Sequence, residues 1–377
     1  MIREIHTMKN VTVSYEKNGV LYVGVERKVP LKTLDTRDRI PKTLPDGRMT
    51  DVVIIPKIRT LSYCNQETGG CSIHAIKHRP LVGGLSYAPD DSGAATLGAF
   101  VKDLRDGTTV ALTCNHVIGP ELGVGSSTPD YYVADVTAVN MVQPSPLDGG
   151  IAPDDNIGLG KRAVGTIFGG SSVGTNLVDC AIGTITGINM TTPGIQDLIR
   201  GGSFPFAEKN TYYYLNECRK AGRTTGNSTG IIFNTNVNVT AIMGADTPNN
   251  RAYYEGVIMI TSDTRFSAGG DSGSVIVVKS GGVWEIVGIL FAGSSDGLTT
   301  FACHISDVAS LLEIEAWDGS IYMPGGQTGT ILANGLCYYT LGEETGGDPT
   351  HTAEAVFDDC EECISNASAK TLFGNVI

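Results

Sequence analysis

From about Gly93 to Trp317 the chain is written in short apolar segments separated by Gly, Asn, Asp and Thr turns: TLGAFVKDL, TVALTCNHVI, YYVADVTAV, LVDCAIGTI, GIIFNTNVNVTAIM, YEGVIMI, SVIVV and WEIVGILFAG. Many short strands with turns between them predict a sandwich or barrel, so the fold class is mainly β. One segment has helical spacing instead. In SDVASLLEIEAW, Ser306 is placed to cap, Asp307 sits in the first turn, and Val308, Leu311 and Leu312 share a face. Upstream, the strand-like VTVSY, VLYVGV and DVVIIP flank the Pro- and charge-rich KVPLKTLDTRDRIPKTLPDG, which predicts a small N-terminal α+β domain over residues 1–87. The loop-like RPLVGGLSYAPDDSGAAT leads into the main domain, 88–318. Residues 319–377 change composition again and are expected to form a small β-rich C-terminal module with an acidic tail.

Composition agrees with this division. A chain of 377 residues is too long for one ordinary domain, and its 48 glycines suit many turns. The net charge of -13 repels a polyanion over most of the surface, so no nucleic-acid partner is expected. The N-terminal MIREIHTMKN is charged where a signal peptide needs an apolar core, and no apolar run approaches the roughly 18 residues needed to span a bilayer. A cytoplasmic protein with no membrane partner is the expectation. Nine cysteines, an odd number spread along a long chain, point to buried thiols rather than to a disulfide framework.

Three segments carry candidate chemistry. The strongest is Gly269-Gly270-Asp271-Ser272-Gly273-Ser274 before the apolar VIVV. A nucleophilic serine needs a tight turn that presents its hydroxyl and backbone N–H groups aimed at a developing oxyanion. A Gly-rich hairpin turn is the plainer alternative. His116 stands at the end of the strand-like VALTC, where an imidazole can act as a base, although single histidines are usually structural or solvated. Asp179 lies among apolar residues in VDCAI; a carboxylate there needs a strong partner, such as an imidazole, unless it merely opens a turn.

The order His116, Asp179, Ser272 is one in which a catalytic triad occurs on β-barrel scaffolds. With these motifs, residues 88–318 resemble the trypsin/chymotrypsin-like serine protease superfamily. That resemblance implies a chymotrypsin-like double six-stranded β-barrel with the site in the cleft and SDVASLLEIEAW as the C-terminal helix. It implies Ser272 as nucleophile, His116 as general base, Asp179 as the orienting acid, and the N–H groups of Gly270 and Ser272 as the oxyanion hole. Phe266 falls at the base of the S1 pocket, with Phe291 and Gly293 on its wall; without an acid there, small or apolar P1 residues are expected.

The stretch Cys218-Arg219-Lys220-Ala221-Gly222-Arg223-Thr224-Thr225-Gly226 is similar to the GRTTG segment of bacterial α-lytic-type proteases. There the arginine pairs with the aspartate before the nucleophile, so the resemblance implies an Arg223–Asp271 brace and activity in the uncut chain. Val117 and Thr229 stand where such relatives carry disulfide cysteines. The N-terminal stretch resembles that of intracellular bacterial and plant trypsin-like proteins. GLCYYTL followed by FDDCEEC is similar to small modules of tailed-phage structural proteins.

Two other constellations stay open. Cys64, Cys71, His74 and His78 offer four zinc-ligand types in a spacing that matches no standard finger, and thiols with a solvated histidine pair explain them equally. Cys337, Cys360 and Cys363 fit a disulfide, a three-cysteine site or plain thiols. No metal and no cofactor is called for. Two functions follow. One is a serine endopeptidase acting on a protein or peptide. The other is a structural or assembly protein, for example a phage virion component or homo-oligomer, using a protease fold as scaffold.

Overall fold

The computed structural model describes residues 2–61, 73–91, 93–119, 132–186, 191–196, 198–200, 204–209 and 215–317, and the backbone of four short strands between 320 and 357. Chain order begins with helix α1 (Ile2–Ile5) and strands β1 (Val11–Lys17), β2 (Val20–Val25), β3 (Met49–Ile54) and β4 (Ile58–Thr60). Next comes β5 (Leu81–Gly83), which belongs to a small three-stranded sheet; the first barrel half contains β6 (Leu85–Pro89), β7 (Ala95–Leu97), β8 (Ala99–Asp103), β9 (Thr109–Thr113), helix α2 (Asn115–Ile118), β10 (Val133–Asp135), β11 (Asn140–Val142), β12 (Asn156–Val164) and β13 (Ala181–Thr184). Short strands β14 (Thr191–Ile195) and β15 (Ile199–Arg200) lead to the second half. That half holds β16 (Glu217–Gly222), β17 (Gly226–Ile242), β18 (Arg251–Thr261), β19 (Val275–Ser280), β20 (Val283–Ser294) and β21 (Thr299–His304).

The protein is mainly β, with two curled sheets arranged as a chymotrypsin-like double barrel. In the second half, β16-β19-β20-β21-β18-β17 returns on itself because β16 pairs with both β19 and β17, giving the expected six-stranded ring. The first half departs from six. Its path runs β8-β9-β13-β12-β11-β6-β7, with β10 added on β12 and a strand after the last helix added on β8. That strand, β22 (Ile314–Ala316), corrects the expected helix length: α3 (Ile305–Leu312) stops at Glu313, whose φ of 52° is left-handed, and the EIEA that follows turns into strand. The cap position is His304 rather than Ser306, while Val308 and Leu312 are buried as the spacing predicted.

The N-terminal strands do not make a sheet of their own. The β1–β2 hairpin turns through Asn18 and Gly19, both at positive φ as a two-residue turn requires, and β1 then pairs with β17 at Val13↔Val239 and Tyr15↔Val237. The long β17 otherwise presents an open edge to solvent over this stretch, and β1 covers it. Helix content in this region is one four-residue helix and two 3-10 turns. Four further strands, β23 (Ser320–Tyr322), β24 (Thr328–Ile331), β25 (Cys337–Thr340) and β26 (Glu354–Phe357), form a separate antiparallel sheet. No helix among the described residues is long and apolar enough to cross a membrane.

Buried charge ties the layers together. Arg162 on β12 forks onto Asp103 of β8 with two 2.8 Å bonds and also reaches the Leu312 carbonyl at the end of α3. Burial opposes the charge on Asp103, but Arg162, Lys161 and the Arg105 N–H outweigh it and hold the carboxyl at about 2. Arg162→Ala leaves a buried carboxylate without its fork and is expected to cost about 3–5 kcal/mol, read by urea denaturation.

His6 anchors the N-terminus, with Nδ1 3.0 Å from Thr240 Oγ1 on β17 and Nε2 3.0 Å from Ser14 Oγ on β1. Burial holds the imidazole at about 3, so the unfolded chain takes up a proton first. Its contribution is full above about pH 6.5 and is lost as pH falls toward about 3. Thermal unfolding followed from pH 7.5 to 4 should show this loss, and a His6→Gln variant should have the flatter profile.

Candidate active site

Strand register brings the first two groups together. Antiparallel pairing of β13 with β9 sets Ala181 opposite Thr113, so the residues just before β13 lie beside those just after β9. Asp179 therefore faces the single turn of α2 that carries His116. The Asp179 carboxylate is fully buried. Its Oδ1 accepts the His116 backbone N–H at 3.0 Å, its Oδ2 lies 2.6 Å from His116 Nδ1, and the Tyr254 hydroxyl reaches the same oxygen at 3.5 Å. Three donors offset the desolvation of that charge.

Ser272 comes from the other half, in the loop between β18 and β19. His116 Nε2 lies 2.9 Å from Ser272 Oγ, so carboxylate, imidazole and hydroxyl form one continuous line. The loop is pinned across the seam by Thr96 of β7, whose N–H donates to the Ser272 carbonyl at 2.9 Å and whose hydroxyl donates to the Gly270 carbonyl at 2.8 Å. Gly270 and Gly273 take φ of 96° and 95°, and a Cβ on Gly273 would stand 2.2 Å from the Thr96 carbonyl oxygen, so this turn requires glycine there.

The expected brace is exchanged for two others. Arg223 bonds Asp148 through Nε at 2.8 Å and Nη2 at 2.5 Å, and does not pair with Asp271. The ammonium of Lys220 stands 3.4 Å from Asp271 instead, with both side chains fully buried. The GRTTG turn still holds Asp271: the N–H groups of Thr224 and Thr225 and the Thr225 hydroxyl donate to it at 2.9, 3.2 and 2.7 Å. The Ala268 N–H adds a fourth bond at 2.9 Å. Lys220 carried a usable signal, since it lies two residues from the buried Cys218 on β16 and must share its inward face. Asp148, in the turn PSPLDGG, carried none.

The cleft is occupied by the chain itself. Strand β4 lies antiparallel to β20, with Thr60 opposite Ala292, Arg59 opposite Gly293 and Ile58 opposite Ser294. The next residue, Leu61, donates its N–H to the Phe291 carbonyl at 3.3 Å and to Ser272 Oγ at 3.0 Å. Its carbonyl accepts the Gly270 N–H, one of the two expected oxyanion donors. The Leu61 side chain is buried in a cluster with Phe266, Ile232, Ile260 and Leu290. Gly293 leaves room for it: a Cβ there would meet Leu61 Cδ1 at 3.2 Å. Of the expected pocket residues, Phe266 contributes its ring and Gly293 its missing side chain. Phe291 contributes only its carbonyl; its ring turns into the core against Tyr254, 4.6 Å between centroids. Sequence reasoning missed Leu61, whose segment carries no motif of its own.

Among the described residues no other arrangement competes for these groups. Cys114 Sγ lies with His116 and Asp179 inside a 4.8 Å group of metal-ligand types, but burial pushes the Cys114 thiol well up and both His116 nitrogens already have partners. Burial likewise keeps Cys180 and Cys303 protonated and raises Cys218 to about 12. Of the zinc-type set, Cys64 and Cys71 lie outside the described residues. His74 Nδ1 is 2.8 Å from the Gly84 carbonyl oxygen and His78 Nε2 is 2.7 Å from that of Ile73. The side chains of Cys337, Cys360 and Cys363 are also outside the described residues.

No protein-family model matches the chain, and no curated protein matches it. Among solved structures it is similar to a glutamic acid-specific serine protease, at 18% identity and a TM-score of 0.42, over 63% of this chain and 100% of that one. It is similar to the Nocardiopsis protease NAPase at 18% and 0.39, over 62% and 97% of the two chains. A third is the Cellulomonas bogoriensis chymotrypsin, at 17% and 0.40 over 63% and 98%. The chemistry is therefore read from this chain's own residues.

Gly222 tests the brace. A Cβ there would stand 2.5 Å from Asp271 Oδ1 and 2.6 Å from Ser274 Oγ, both buried and held. Gly222→Ala should cost about 1–3 kcal/mol by urea denaturation, as overpacking does.

Proposed function

We propose that the protein is a serine endopeptidase that forms an acyl-enzyme on Ser272. The observation that carries this reading is the line Asp179–His116–Ser272, at 2.6 and 2.9 Å, ending beside an N–H that already holds a peptide carbonyl. His116 takes the hydroxyl proton as Oγ attacks and returns it to the leaving amine. Asp179 holds the imidazole tautomer and offsets its charge when it is protonated. The N–H groups of Gly270 and Ser272 receive the oxyanion, and the buried bonds to Asp271 hold that loop in shape before substrate arrives. Phe266, Leu290 and the gap at Gly293 favour an apolar P1 side chain such as leucine, and a protein or peptide substrate would add a strand to β20.

A charged side chain in an apolar pocket lacks compensation, so Leu61→Asp should empty the cleft. The Leu61→Asp chain should then take one fluorophosphonate label on Ser272, seen by peptide mass, and hydrolyse a peptide with leucine at P1. Adding Ser272→Ala should abolish labelling and lower kcat on the order of a million-fold. Label uptake that survives Ser272→Ala, or turnover that does not change, sinks the assignment.

A further inference from the structure

We infer that the protein cuts its own chain on the carboxyl side of Leu61. The inference rests on the serine-endopeptidase reading and adds the identity of a substrate: the segment Ile58–Leu61 of the same molecule.

Four features place Leu61 as the residue whose carbonyl is attacked. Three residues, Ile58, Arg59 and Thr60, form a strand on β20, the backbone pairing by which an extended peptide is held on a sheet edge. The Leu61 N–H meets the Phe291 carbonyl, which continues that ladder to the nucleophile. The side chain fills the apolar pocket over Phe266. The carbonyl oxygen sits on the Gly270 N–H while Ser272 Oγ is 3.0 Å from the residue's own nitrogen, so the carbonyl carbon lies next to the hydroxyl. Core packing alone would account for the buried leucine, but not for a carbonyl turned onto the oxyanion donor.

The step balances as an ordinary hydrolysis. Ser272 Oγ bonds to the Leu61 carbonyl carbon, its proton passes to His116 Nε2, and the bond from that carbon to the Ser62 nitrogen breaks as His116 returns the proton to the new amine. Water, deprotonated by His116, then releases a Leu61 carboxylate and restores the Ser272 hydroxyl. Because enzyme and substrate share one chain, held by the β1–β17 and β4–β20 pairings, the reaction is unimolecular and gains from fixed proximity.

Intact mass spectrometry of the purified full-length chain over time is the test. Wild type should convert to a fragment ending at Leu61 and one beginning at Ser62, with a rate unchanged over a 100-fold range of protein concentration. Ser272→Ala and Leu61→Asp should both stay whole, the second while still taking the fluorophosphonate label. A wild-type chain that stays whole, although Leu61→Asp is labelled on Ser272, overturns self-cleavage and makes the segment an inhibitory plug. A rate that rises in proportion to concentration overturns the intramolecular step. If neither chain is cut nor labelled, the endopeptidase reading falls first and this inference with it.

Discussion

A carboxylate cannot be taken out of water without donors, and the geometry of the candidate site follows from how Asp179 meets that constraint. The backbone N–H of His116 and its Nδ1 both point at the carboxylate, one at each oxygen. The ring is thereby fixed in direction before any serine is considered. Only Nε2 is left to meet the second barrel half, and it meets Ser272. A shift of one residue in the β9–β13 register would carry Asp179 to the opposite face and leave both charge and ring without partners.

The two halves of the site are joined across the seam between them. Thr96 is the joint: it donates to the Ser272 and Gly270 carbonyls and accepts the Arg223 N–H at 2.9 Å through its hydroxyl. One residue from the first half thus sets both the Ser272 loop and the GRTTG turn of the second. Cys114, just before His116, reaches the Leu290 carbonyl at 3.1 Å and fastens the His116 turn to β20 in the same way. The braces around Asp148 and Asp271 then only have to hold a loop whose position Thr96 has chosen. The carboxyl of Asp148 is disfavoured by burial but kept ionised by Arg223, Ser86 and Ser145, which suits a fixed cross-link rather than a titrating one.

What could be read from the sequence divides along the range of the interactions. Ser272, with its flanking glycines, and the inward strand ends at His116 and Asp179 are local signals: turn chemistry, alternation and an isolated buried acid. Alternation and turns gave no more than a sandwich or barrel; the six-stranded ring of the second half was expected only through the resemblance that those motifs carry. Partner choice was not. Arg223 is as near in sequence to Asp271 as Lys220 is, and which cation reaches which acid depends on β16 turning Lys220 inward while Asp148 arrives from the first half. The N-terminal strands read as a unit because their own hairpin is strong; that β1 covers the edge of β17 is a fact about a strand more than 200 residues away.

Leu61 is the sharpest case, since its segment, IRTL, is unremarkable as a sequence and acquires meaning only by lying on β20. It also separates two properties that the resemblance to GRTTG proteases joins. On the proposed reading a brace inside the chain preforms the oxyanion site, and here the Gly270 N–H is in place with a carbonyl upon it. Preformed is not the same as accessible. On the proposed reading the Gly270 N–H is already turned to the cleft before any external peptide arrives, so control passes to whatever occupies it. An occupant that belongs to the same chain binds without loss of translational freedom, and an external peptide must outcompete it at the full entropic cost of association. On the proposed serine-endopeptidase reading, the apolar pocket, the β20 edge and the Gly270 N–H therefore meet the chain's own residues first, and any other substrate comes second.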